Sequence, residues 1–195
     1  MRRRFLLLAA LVGLLSALLA GTAGATEATT SRTISPVTAT ADGALTGYSV
    51  LVRTSSGLRF ALFTSQLEAH HAFTVWWVVF NHPDNCAGAA TSTVPRCGMA
   101  DMANPDVDAS ALRADGDVVG AFGVGWFSGS LAVDDVSEAI AGTGLHNPAG
   151  ADVQFVVRDH GPVSSDPDVA YQQTHTFGTC NLTCTDVQTS VHQAG

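Results

Sequence analysis

The chain has 195 residues, 46% of them hydrophobic, and a formal net charge of −8 from 17 acidic and nine basic side chains. Every basic residue is an arginine. This balance argues against nucleic acid as a partner and against insertion into or binding to an anionic membrane, because polyanions repel it. The length suits one domain, large enough to bury a core of its own.

Residues 1–25 read as an export signal. Arg2-Arg3-Arg4 is the charged start, residues 5–20 are an apolar run, and Ala23-Gly24-Ala25 is a small-residue cleavage site. The run falls short of the ~20 residues of a spanning helix, so the reading is cleavage and release to the periplasm or the exterior. A general secretory signal and a twin-arginine signal both fit Arg3-Arg4. Residues 26–32 read as a flexible tail, and residues 33–195 as a single domain, expected to be a monomer. In an exported chain four cysteines imply disulfides, and Cys86–Cys97 with Cys180–Cys184 is the favoured pairing of the three that are open.

From Thr33 the sequence is rich in Val, Thr, Phe and Trp, with Gly or Asp-Gly breaks every eight to twelve residues. That rhythm predicts an all-β domain, an antiparallel β-sandwich of roughly nine strands with little helix. Residues 45–54 and 58–65 form a hairpin across Ser55-Ser56-Gly57. Residues 72–81 (Ala-Phe-Thr-Val-Trp-Trp-Val-Val-Phe-Asn) are apolar on both faces and read as a central, doubly covered strand, stopped by Pro83. A long stapled loop follows over 82–108. Residues 109–113 and 117–128 form a second hairpin, with Asp115-Gly116 as its turn, and Gly120, Gly123 and Gly125 mark a bulge or a close backbone approach. Residues 130–133 are a short strand and 134–141 the one expected helix. Residues 151–158 alternate, with Val153, Phe155 and Val157 on one face. Residues 171–177 and 185–192 read as the last two strands.

Several segments together resemble a family of uncharacterised secreted bacterial all-β proteins. They are Phe73-Thr74-Val75-Trp76-Trp77-Val78-Val79-Phe80-Asn81 with Pro83 and Cys86, then Cys97-Gly98, Gly144-Leu145-His146-Asn147-Pro148 and Gly150-Ala151-Asp152-Val153. Asp101 after Cys97-Gly98, Arg158-Asp159-His160-Gly161-Pro162, Thr176-Phe177-Gly178 with Cys180, and Cys184 with Gln188 and His192 complete the set. The resemblance implies a signal peptide and one all-β domain, and carries no activity. It places a histidine where this chain has Gln154, which weakens a metal reading here. Ala69-His70-His71 before a strand is similar, at the level of architecture, to exported sandwiches of the copper-zinc dismutase and chordin type.

Seven histidines in a chain without lysine invite a metal site. His82, His146 and His160 each sit beside a turn, and one rim of a sandwich would gather them around copper or zinc. Asp101, Asp106 and Asp108 in the stapled loop offer oxygen ligands for calcium. Serine in a nucleophile elbow is absent, so a binding or structural role is expected rather than catalysis. Trp126 and Arg158 are the candidate ligand-binding residues. Trp76 and Trp77 read as core. The function expected is that of an exported module that binds an extracellular ligand or a component of the cell envelope. A copper or zinc protein, which would include a redox enzyme, is the second reading. The third is a carbohydrate-binding module, which requires Trp126 exposed in a row with Tyr48 or Tyr171.

Overall fold

The computed structural model describes residues 30–88, 95–182 and 184–194. The export signal and most of the tail lie outside the described residues. Nine antiparallel strands join in one continuous curled sheet, in the order β6-β3-β2-β1-β9-β8-β4-β5-β7. They are β1 (Ser31–Ala39), β2 (Leu45–Thr54), β3 (Gly57–Thr64), β4 (His71–Phe80), β5 (Ala109–Val118), β6 (Gly125–Ala132), β7 (Ala139–Ala141), β8 (Asp152–Pro162) and β9 (Thr185–His192). The domain is all-β, as its rhythm predicts. Its strands run as one hydrogen-bonded series where the sequence reading expected two packed sheets.

Curling brings the β6 end of the sheet back to β5. The Ser128 backbone N–H donates to Asp115 Oδ2 at 2.8 Å, and a Cβ on Gly129 would lie 2.8 Å from the Ala114 carbonyl oxygen. Alternating side chains from the strands fill the interior. Phe60 stacks on Phe155 with centroids 4.5 Å apart, and both meet Trp77 at 4.9 and 5.0 Å. Leu51, Leu62, Val75, Phe127, Val153 and Val157 close around them, all fully buried. Such rings supply much of the apolar burial that offsets chain entropy.

The second face of β4 is covered too, as its sequence demands. Val78 and Phe80 pack against Cys97 and Val107 of the stapled loop. Trp76 meets the Phe177 ring edge-on at 5.1 Å. Cys86–Cys97 and Cys180–Cys184 are both bonded, the chemistry of a non-reducing compartment. No helix among the described residues is long and apolar enough to cross a membrane.

Several local expectations are corrected. Strand β1 begins at Ser31, paired with Arg53, inside the segment read as tail. Residues 134–141 are not helical; they form a turn and the short strand β7. The helix is α1 (Pro167–His175), over part of the segment read as a strand. Asp166 caps it, accepting from Asp168 N and Val169 N, and Pro167 holds its first turn. Asp115-Gly116 is no turn. Strand β5 runs through it, with Ala114 as an extra residue between the partners of Val75 and Trp76. Gly116 is required there because α1 lies over the strand, and a Cβ would collide with the Thr174 carbonyl. The true turn follows Val118, with Gly123 at φ +64°. Residues 130–133, read as a separate strand, mostly continue β6.

Candidate functional site

The three turn histidines do not converge. His160 on β8 lies near the start of β4, since Pro162 pairs with His71. His82 follows the far end of β4, where Phe80 pairs with Asp152. The length of β4, roughly 30 Å for ten residues, separates them. The sequence signal was a shared turn context, and it carries no information on which end of the sheet a turn occupies.

His146 sits at the His82 end, bound to Asp108. Its Nδ1 lies 2.6 Å from Asp108 Oδ2, and its Nε2 lies 3.0 Å from the Thr143 carbonyl. The hydrogen bond to Asp108 holds the imidazole above its ordinary pKa. Burial pushes Asp108 up, but the bonds from His146 and Thr143 outweigh it and lower its pKa.

His160 is fully buried. Trp76 Nε1 donates to Thr74 Oγ1 at 2.7 Å, and Thr74 Oγ1 meets His160 Nε2 at 2.7 Å. Nδ1 faces the Thr179 carbonyl at 2.8 Å. Burial depresses its pKa, against the Thr179 bond. His160, Cys180 and Cys184 are the one group of three metal-ligating side chains that gathers among the described residues. Both sulfurs are spent in the disulfide, whereas a metal takes the thiolate.

The loop carboxylates also serve other ends. Asp101 caps the turn Met99–Ala103, accepting from Gly98 N and Ala87 N. Asp108 holds His146, and Asp106 is exposed. Arg158 does not present itself to a ligand: its Nη1 donates to Asp186 Oδ1 at 2.7 Å and its guanidinium covers the Phe177 ring at 3.9 Å.

Trp126 is different. It is 64% exposed on the outer face of β6. Its cross-strand partner is Phe63 of β3, and the partner of Phe63 is Tyr48 of β2. These rings are 47% and 55% exposed. Pro36 of β1 continues the row beside Tyr48. Three exposed aromatics therefore stand in register on adjacent strands, about 4.8 Å apart. The Phe63 and Trp126 centroids lie 6.1 Å apart with planes tilted by 60°. Tyr171, the other partner considered for Trp126, stacks on His175 of α1 at 3.8 Å and does not join the row.

Two further outward rows cross the same four strands. One is Ile34, Val50, Ala61 and Ser128; the next is Arg32, Val52, Arg59 and Ser130. Phe63, Arg32 and Arg59 escaped the sequence reading. The expected three-residue loop Ser55-Ser56-Gly57 would set Thr64 opposite Tyr48; the turn is instead the two residues Ser55-Ser56, Gly57 pairs with Thr54, and this one-residue shift puts Phe63 there. Pairing of β3 with β6 is long-range, and no local feature announces it. No protein-family model, curated protein or solved structure matches the chain.

Proposed function

We propose that this chain is an exported binding module and that its ligand is a polysaccharide, held on the outer face of β1, β2, β3 and β6. The observation that carries this reading is the in-register row Tyr48–Phe63–Trp126, exposed on adjacent strands. Large aromatics normally dominate a core, and a contiguous exposed patch of them marks a binding surface. Strand spacing sets the rings at intervals comparable to one pyranose ring, whose C–H face packs on an aromatic plane. The Tyr48 hydroxyl, the Trp126 N–H and the Ser128 and Ser130 hydroxyls have no hydrogen-bond partner among the described residues, so they remain to meet sugar hydroxyls.

The test is retention on insoluble polysaccharides, neutral and acidic, comparing the wild type with Trp126→Ala and Phe63→Ala. A central aromatic contact is worth about tenfold or more in affinity. Each variant should therefore be retained about tenfold less while unfolding at the same urea concentration. Variants that bind like the wild type, or a wild type retained on no polysaccharide, would overturn the reading.

A further inference from the structure

Of the six arginines in the described residues, four are engaged. Arg96 Nε and Nη2 bind the Asp152 carboxylate at 2.8 and 2.9 Å. Arg113 binds Glu138 at 2.9 Å and Arg158 binds Asp186 at 2.7 Å. Arg53 is buried and donates to the carbonyls of Pro148 and His192. Only Arg32 and Arg59 have no ion-pair or hydrogen-bond partner among the described residues. In a chain with almost twice as many acids as bases, an unpaired guanidinium is the exception, and both exceptions stand on one face.

They also stand in one register row. Arg32 pairs across to Val52, and Val52 to Arg59. Twice the strand spacing puts their stems roughly 10 Å apart. None of the four strands that make this face contains an Asp or Glu. A shallow depression of about 300 Å³ lies beside Arg59, lined by Val52, Thr54, Ser56 and Ser130. The aromatic row crosses the same strands four residues away, ~13 Å along the strand direction.

We propose that this row reads negative charge on the ligand, so that the module takes an acidic polysaccharide. The inference rests on the polysaccharide reading above. Sugar rings pack on Tyr48, Phe63 and Trp126, and carboxylate or sulfate oxygens of the same strand accept from Arg32 and Arg59. Guanidinium offers a planar fork matched to such oxygens. The net negative charge elsewhere does not oppose this, because screening confines charge effects to about 8–10 Å in physiological salt. The rings and the guanidinium groups lie in rows that cross adjacent strands, an arrangement that a polymer lying across the sheet meets along its length.

The experiment measures binding of the full chain to polygalacturonate, dextran sulfate and neutral dextran, and to vesicles of phosphatidylserine in phosphatidylcholine. The double variant R32Q/R59Q and the charge-preserving R32K/R59K are compared with wild type and W126A, with urea unfolding as the check on folding. The expected result is retention on an acidic polymer, weakened by salt, about tenfold or more lower in R32Q/R59Q and W126A and partly kept in R32K/R59K. Preference between polygalacturonate and dextran sulfate tells carboxylate from sulfate. Equal retention on neutral dextran that is lost in W126A but unchanged in R32Q/R59Q would overturn the charge inference and leave the polysaccharide reading standing. Binding to none of the polymers would overturn both, and binding to the vesicles alone would assign the face to a membrane surface.

Discussion

Acidification should destabilise this fold through one buried imidazole, His192. Its Nδ1 meets Thr33 Oγ1 and its Nε2 meets Ser49 Oγ, each at 2.7 Å, and Ser190 extends the hydroxyl chain. The edge of Phe155 stands against it at 5.5 Å. Every partner is neutral, and the nearest charge is the Arg53 guanidinium, which donates to the His192 carbonyl at 3.2 Å. Burial, reinforced by Arg53, lowers the pKa of His192 from 6.5 to about 4. The folded state thus binds the proton more weakly than the unfolded chain. Stability is fully present above pH 6.5 and falls as the pH drops, because the unfolded state takes up more protons. The cost is about 2 kcal/mol by pH 5 and ~3 kcal/mol below pH 4. Urea unfolding at pH 7.5, 6.5, 5.5 and 5.0 measures it, with His192→Gln as the reference. That variant should start less stable by about 1–2 kcal/mol, having exchanged one hydrogen-bonding side chain for another. It should then lose about 2 kcal/mol less than the wild type between pH 7.5 and 5.0. Contributions from His160 and His146 are common to both proteins and cancel. Equal losses in the two proteins would refute the reasoning.

Other consequences are open to measurement. Trp126→Ala should leave the unfolding free energy, measured in urea, within about 0.5 kcal/mol of wild type, because the ring is mostly exposed. Asp152→Ala removes the carboxylate that accepts from Arg96 and from Ala194 N; the loss should be ~3 kcal/mol in unfolding free energy, with Asp84 a poor substitute at the surface. The His146 imidazole should titrate by NMR above its ordinary value, and Asp108→Asn should bring it back toward about 6.5. Its sign is opposite to that of His192: the raised pKa means that the pair contributes at low pH and is lost as the pH rises through the folded value. Gly116→Ala drives a Cβ into the Thr174 carbonyl, and the displaced α1 should cost about 1–3 kcal/mol of stability, read by thermal or urea unfolding.

Local pattern carried much of the architecture. Alternation and turn residues marked β2, β3, β4, β8 and β9, because a strand's two faces are written into its own residues. Ser55-Ser56-Gly57 located the hairpin, but Gly57 pairs with Thr54 inside β3, so a three-residue loop put the register one residue out; cysteine spacing led to both disulfides. Other features were local too, yet competing signals hid them. The Asp166 cap and Pro167 of α1 lay beside a segment whose Tyr, Thr and Phe read as strand. The Asp115-Gly116 pair had the form of a turn, although the glycine serves a helix lying over β5.

The site depended on what no local pattern records. The turns of His82, His146 and His160 looked alike, and only the pairing of β4 with β8 showed that they occupy opposite ends of the sheet. Trp126 stood out in the sequence, but its neighbours come from β2 and β3, remote in the chain. The chain's negative total concealed a face whose four strands carry no carboxylate and two unpaired arginines. Composition sums charge over the whole chain, whereas a ligand meets only what the fold places on one surface. The sequence by itself determined an all-β domain, five of its strands and its staples, since these follow from side-chain alternation and short-range spacing. Tertiary structure decided the curled sheet, the burial of His160 and His192 and the aromatic–arginine face, because each depends on pairings between residues far apart in the chain.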